Sequence, residues 1–222
     1  GTGKTPVVAA LAVAARAANR CPVVLTRGYG GTITGPHLAQ DQDHARDIGD
    51  EACWIAASTP VVVAHDRGAG ARWIDEHMPD CDLIIMDDGL QNPAVKPHQS
   101  VAVFNGSLGT GNGMIIPAGP LREGWGRLRS CDAVVISGDD HHNLAAQAKT
   151  YNPDIAVFMA RRRLNPDDLT PLVNKPIFAF AGIGAPDVFF AMLADAGLNL
   201  AGQRAFPDHH PYSDDDYERL TQ

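Results

Sequence analysis

The chain opens Gly1-Thr2-Gly3-Lys4-Thr5, followed by Pro6 and a run that places apolar residues at Val7, Val8, Leu11 and Val13. That order is the second half of the phosphate-binding pattern G-x-x-x-x-G-K-[ST], running directly into a helix. Each residue type has a chemical reason. Glycines let backbone N–H groups close around phosphate oxygens, and the helix N-terminus adds partial positive charge. In this pattern Lys4 reaches the β- and γ-phosphates and Thr5 ligates Mg²⁺. A Gly-rich turn that only caps a helix has the same composition, so the motif needs support from the rest of the chain.

Support comes from the alternation of elements. Short runs rich in Val and Ile recur at 22–25, 60–64, 83–86, 101–104, 133–136, 155–158 and 177–180. They lack polar alternation, which suits strands covered on both faces, as in a parallel sheet. Stretches of helical length lie between them at 5–16, 51–57, 68–77 and 186–196. The alternation predicts an α/β fold of the P-loop NTPase type, a mostly parallel sheet flanked by helices. A second β/α series follows residue 150, so we place a P-loop kinase core at 1–150 and a smaller C-terminal α/β domain at 151–222. Between two strand candidates, residues 105–129 collect Gly, Pro and charge in a connection long enough to be functional.

A formal charge of -8 over 222 residues opposes phosphate backbones, so a broad nucleic-acid interface is excluded and anionic ligands need local basic clusters. Cys21, Cys53, Cys81 and Cys131 stand singly, and read as buried thiols in a reducing compartment. No apolar run approaches the ~18 residues of a spanning helix, so the chain as given reads as soluble. Because the first half of the phosphate-binding pattern would lie upstream of Gly1, the chain also reads as a fragment.

Leu83-Ile84-Ile85-Met86-Asp87-Asp88-Gly89 is an apolar strand ending in two acids, the arrangement that places a carboxylate beside the metal in P-loop enzymes. Adjacent strand residues point to opposite faces, so only one acid faces the metal unless the strand has already ended. Asp-Asp-Gly is also good turn chemistry; Lys4 and Thr5 in the same chain favour the metal, and with it a site for magnesium nucleotide. Asp50, in Gly49-Asp50-Glu51, and Asp66, in His65-Asp66-Arg67, read on sequence alone as helix N-caps. Asp208-His209-His210 places imidazole in a turn, as general base, metal ligand or solvated loop. His141-His142 lacks a second ligand pair at a metal-binding spacing. Arg27-Gly28-Tyr29-Gly30-Gly31 and Gly119-Pro120-Leu121-Arg122-Glu123 each present an arginine, suited to phosphoryl groups, on backbone that approaches a ligand closely.

In order, Gly3-Lys4-Thr5-Pro6, Arg27 to Gly31, Gly49-Asp50-Glu51, His65-Asp66-Arg67, Asp87-Asp88-Gly89-Leu90-Gln91, Pro117 to Glu123, Ala181 to Gly184 and Phe206-Pro207-Asp208-His209 resemble the tetraacyldisaccharide 4'-kinase family of lipid A biosynthesis. The resemblance spans nearly the whole chain. It implies transfer of the γ-phosphate of ATP to the 4'-hydroxyl of a tetraacylated glucosamine disaccharide 1-phosphate, at the cytoplasmic face of the bacterial inner membrane. It assigns Gly1, Thr2, Gly3, Lys4 and Thr5 to ATP, and Thr5, Asp87, Asp88, Gln91 and Glu123 to Mg²⁺ or its surroundings. Asp50 and His209 resemble the family's catalytic pair, which reverses the N-cap reading of Asp50. Arg27, Tyr29, Arg67, Asn92 and Arg122 are implied in substrate or phosphate binding, Arg122 and Lys4 also in catalysis. Asn92 stands where a histidine often follows Gln, and Ala52 and Gly124 replace prolines. Absent segments are implied too: a membrane-associating N-terminus, the strand before the phosphate-binding loop, and a C-terminal stretch.

Two other classes share parts of this pattern. A GTPase needs an Asn-Lys-x-Asp guanine reader, and Asn174-Lys175-Pro176-Ile177 does not supply it. A non-enzymatic nucleotide- or metal-binding module would use the histidine pairs, and the metal content of purified protein separates it from a kinase.

Overall fold

Strands β1 (Pro22–Thr26) and β3 (Val61–Val63) are buried at every position, as uninterrupted apolar runs should be in a sheet covered on both faces. Their side chains alternate between two helical layers. Val24, Val61 and Val63 join Val8 and Ala12 of α1 (Lys4–Ala17) and Ala52 and Ile55 of α3 (Asp50–Ala56). Val23, Leu25 and Val62 join a separate cluster with Ile74 of α4 (Arg67–His77). A period of two along each strand therefore places one core on either side of the sheet.

The computed structural model describes residues 3–208 and 210–220. Its first sheet has the order β2-β3-β1-β4, with β2 at His37–Leu38 and β4 at Leu83–Met86. β1 pairs in parallel with β3 and β4, and β2 runs antiparallel to β3 at the edge. A short helix, α2 (Ala45–Ile48), precedes α3. The second sheet, β5 (Val101–Asn105), β6 (Ala133–Ser137) and β7 (Ala156–Ala160), is parallel throughout. Leu144 and Ala148 of α5 (Leu144–Tyr151) pack on Ala102, Val134 and Ile136 of this sheet, with Leu128 and Cys131 beside them.

Among the described residues the outer edges of β4 and β5 have no strand partner. A cavity of about 1240 Å³ lies between them, lined by Leu83 to Met86, Val101 to Phe104 and the Val7–Leu11 face of α1. The four apolar residues of β4 are accordingly only half-buried.

The chain divides into two units between Ala160 and Arg161. This boundary lies later than the sequence reading put it, because β7 pairs with β6 along its whole length and belongs to the first unit. The second unit holds α6 (Pro166–Leu169), β8 (Pro176–Ala181), α7 (Pro186–Asp195), β9 (Asn199–Ala205) and α8 (Asp214–Leu220). Phe190 and Leu193 of α7 cover Ala179 and Ala181 of β8, which pairs in parallel with β9. The cysteines differ in setting: Cys131 is buried, Cys53 and Cys81 are half-buried and Cys21 is exposed, so the expectation of four buried thiols is corrected. No helix among the described residues is long and apolar enough to cross a membrane.

Candidate active site

The predicted nucleotide and metal residues gather where β4 ends and α1 begins. α1 starts at Lys4 behind Gly3, and Thr5 is buried. The Asp87 N–H donates to the Leu25 carbonyl at 3.0 Å, extending the ladder one residue past β4. Asp88 then takes a positive φ of 53°, so the strand has ended and the alternation that would separate the two acids no longer applies. Lys4 Nζ lies 3.6 Å from Asp88 Oδ1, and Arg122 Nη1 donates to both Asp88 oxygens at 2.8 and 2.6 Å. Burial pushes the Asp88 carboxyl up, but Arg122 and Lys4 outweigh it and hold the group below its ordinary range.

Asp87 is the opposite case. It is 3% exposed, and burial, then the charges of Glu51 and Asp88, push its carboxyl up to about 6 against the opposing pull of Lys4. One acid is thus neutralised by two cations, and its neighbour is left with surplus negative charge.

Gln91 and Glu123, 32 residues apart in the chain, are brought together: Gln91 Nε2 donates to Glu123 Oε2 at 2.9 Å. Arg127 Nε lies 3.3 Å from that same oxygen and Arg127 Nη2 donates to the Leu90 carbonyl at 2.9 Å. The long connection after β5 is thereby tied to the turn after β4. Lys4, Asp87, Asp88, Gln91, Arg122 and Glu123 all line the cavity between the two sheets.

A second group sits on two interlocked loops. Ile33 N–H donates to the Asp47 carbonyl at 2.8 Å and Thr32 N–H to the Arg46 carbonyl at 3.1 Å, which clamps the chain just after the Arg27–Gly31 loop onto α2. Gly49 has φ 87°, and a Cβ there would stand 2.4 Å from the Tyr29 carbonyl oxygen, so only glycine fits. Arg27 and Asp50 are exposed, and Tyr29 is 75% exposed. Asp50 is the first residue of α3, not its cap, since Gly49 holds that position without a side-chain bond. Asp66 does cap α4, accepting from the Ala69 N–H at 3.0 Å. Next to it Arg67 is buried, with Nη1 donating to the Ala64 carbonyl at 2.6 Å and Nε without a hydrogen-bond partner among the described residues. Burial and the charge of Arg27 depress the Arg67 guanidinium, while Asp87 and Asp88 pull it back. Asn92 Oδ1 accepts from the Ala94 N–H at 2.9 Å, which shapes the turn after Gln91.

Gly1, Thr2 and His209 lie outside the described residues. Two contributors escaped the sequence reading. Glu51 was visible in its motif but given no role there, and Arg127 was signalled only by its spacing of four from Glu123. Among the described residues no group of three or more His, Cys, Asp or Glu side chains is arranged to hold a metal, His141 and His142 included.

Arg122 is a clean test of site against scaffold. Its side chain is 51% exposed, and exposed pairs contribute about 1 kcal/mol or less to stability. Arg122→Ala should leave the melting temperature within a few degrees of wild type. It should lower phosphoryl transfer roughly 100-fold or more, the scale of losing a transition-state charge partner. Activity that falls only in step with the folded fraction would assign Arg122 to the scaffold.

Residues 1–222 match the family described as "Tetraacyldisaccharide-1-P 4'-kinase". A tetraacyldisaccharide 4'-kinase from Bradyrhizobium sp. strain BTAi1 is 40% identical over 223 residues, covering 100% of this chain and 64% of the relative. One from Methylobacterium nodulans is 42% identical over 217 residues, covering 96% of this chain and 63% of the relative. The crystal structure of LpxK from Aquifex aeolicus in complex with ATP superimposes with a TM-score of 0.76 at 25% identity, over 96% of this chain and 70% of that one. The chain thus spans slightly less than two thirds of the length of these two curated relatives. With the whole chain matched and an α/β fold shared with an ATP-bound homologue, this chain belongs to the tetraacyldisaccharide-1-P 4'-kinase family.

Proposed function

We propose that this protein transfers the γ-phosphate of ATP to the 4'-hydroxyl of a tetraacylated glucosamine disaccharide 1-phosphate, a step of lipid A biosynthesis at the cytoplasmic face of the bacterial inner membrane. The observation that carries the reading is the convergence of Lys4, Asp87, Asp88 and Arg122 where β4 meets α1. Open α/β sheets bind their ligands at the carboxyl ends of strands. Lys4 there meets the β- and γ-phosphates and, with Arg122, balances charge on the transferring group. Asp50 and His209 share removal of the acceptor proton. Arg27, Tyr29, Asn92 and Arg67, whose buried Nε finds no acceptor among the described residues, hold the acceptor and its phosphate.

The residues fit Mg²⁺. Thr5 offers a buried hydroxyl and Asp87 a buried carboxyl with surplus negative charge around it; Mg²⁺ takes one or two carboxylates and leaves its other positions to phosphate oxygens and water. Bound there, the ion would supply charge neutralisation to the nucleotide phosphates. Gln91 and Glu123 hold one another beside this set, and Glu123 positions Arg127.

The test is MgATP kinetics of the full-length protein carrying Lys4→Ala or Thr5→Ala. Each should weaken MgATP use, Lys4→Ala by losing the phosphate cation and Thr5→Ala by losing the metal ligand, the latter partly rescued by raised Mg²⁺. Unchanged MgATP kinetics in both variants would remove the nucleotide assignment.

A further inference from the structure

Met114, Ile115 and Ile116 are consecutive, large, apolar and 55%, 48% and 59% exposed. Consecutive exposed apolar residues on a folded surface disfavour solubility and call for a function. They are not held in an extended, loosely placed strand. Ile116 N–H donates to the Leu121 carbonyl at 2.8 Å, Leu121 N–H to the Met114 carbonyl at 3.1 Å, and Ala118 N–H to the Ile115 carbonyl at 3.0 Å. Asn112 braces the other side, its Nδ2 donating to the Ala118 carbonyl at 2.8 Å and its Oδ1 accepting from the Met114 N–H at 3.1 Å. A Cβ on Gly119 would sit 2.1 Å from Asn112 Oδ1 and 2.4 Å from the Met114 carbonyl, so the brace requires glycine. The backbone is built to hold this tip in place while its side chains face outward.

Charge identifies the occupant. Residues 106–122 contain no carboxylate, and the chain then continues with Arg122, Arg127 and Arg129 against Glu123 alone. Arg122 is held by Asp88 and Arg127 lies against Glu123, so three arginines meet two carboxylates and leave a local net +1 in a chain of -8. An apolar tip followed by basic residues matches the headgroup boundary of an anionic bilayer, where apolar side chains enter the acyl region and cations meet phosphate. We propose that the 112–121 loop is a membrane-contacting element that inserts Met114 and Ile116 into the interface of an anionic bilayer, beside the site where Arg122 works. The biological sense of this element rests on the lipid-kinase reading above, whereas its binding readout does not.

The experiment is co-sedimentation of the full-length protein with phosphatidylethanolamine/phosphatidylglycerol vesicles and with phosphatidylcholine vesicles, in wild type and in the Met114→Ser/Ile116→Ser double variant, with lipid phosphorylation assayed in parallel. Loss of this much apolar contact should lower partition onto the anionic vesicles roughly tenfold or more, with no change in melting temperature. Ile116→Trp should add blue-shifted emission over the wild-type signal when these vesicles are present. Equal partition of the double variant and wild type, or no spectral change in Ile116→Trp, would overturn the proposal; the latter is also the result if another segment or a second copy covers the tip. Loop-dependent binding without lipid phosphorylation would sink the kinase reading and leave the loop standing. Phosphorylation with loop-independent binding would do the reverse.

Discussion

Alanine at Asp50 or at His209 is expected to lower kcat roughly 100- to 10,000-fold, the range that general-base catalysis supplies. The double variant is expected to be little worse than the worse single one, because two groups serving one proton transfer do not lose their contributions independently. Asp50 invites a structural explanation, since an acid at a helix start often caps it. Gly49 already occupies the cap of α3, and Asp50 Oδ1 accepts the adjacent Glu51 N–H at 2.9 Å. A first-turn acid gains about 0.3–1 kcal/mol from the helix dipole. The loss of kcat in Asp50→Ala should therefore far exceed what any fall in its melting temperature accounts for. The neighbouring His210 provides a control: its Nε2 lies 3.0 Å from Asp216 Oδ2 and its ring stacks on Phe206. His210→Ala should therefore lose stability. Independent, multiplicative losses in kcat for Asp50 and His209 would exclude a shared role even if both residues mattered.

Asp87→Asn should abolish most transfer while making the ligand-free protein more stable at neutral pH. In the folded state the Asp87 carboxyl lies at about 6, above its ordinary 3.8. Between those values the folded state holds the proton more tightly than the unfolded one, so stability falls as pH rises through this window. Above pH 6 the ionised, buried group costs on the order of 2–3 kcal/mol, from about 1.4 kcal/mol per unit. Asparagine removes that cost. Melting curves from pH 4 to 8 should show the variant pulling ahead of wild type as pH rises through 4–6, with the gap closing at the acid end. Saturating MgATP should raise the wild-type melting temperature more than that of the variant. Parallel pH profiles would mean that Asp87 carries no such burden and is not poised for a cation.

Much of this was legible in the residues. Runs apolar at every position, such as Val61 to Val63, read as strands because both faces are covered, and Leu83-Ile84-Ile85-Met86-Asp87-Asp88 announced both a strand and its acidic end. β9 was missed because it is covered on one face only, with exposed and half-buried positions alternating and Gly202, Gln203 and Arg204 breaking the apolar signal. The domain boundary was misplaced because β7 looks the same whether it opens a new sheet or closes an old one. Pairing decides that, and pairing is not written in a single run. At the site, the φ of Asp88 lifts the alternation that would have set the two acids apart, a backbone fact that no run of residues records. Glu51 bears on Asp87 and Arg127 on the Leu90 carbonyl, partners distant in sequence, and the spacing of four from Glu123 was the one local sign of Arg127.

The most direct measurement is transfer of label from [γ-³²P]ATP to the tetraacylated disaccharide 1-phosphate by the full-length protein, with the position of the new phosphate determined on the product. A Mg²⁺-dependent bisphosphorylated lipid carrying the label on the 4'-oxygen is expected, lost in Lys4→Ala and in Asp50→Ala. Folded protein that binds MgATP yet transfers no label to the lipid, or places it on any other oxygen, would contradict the proposed 4'-kinase activity.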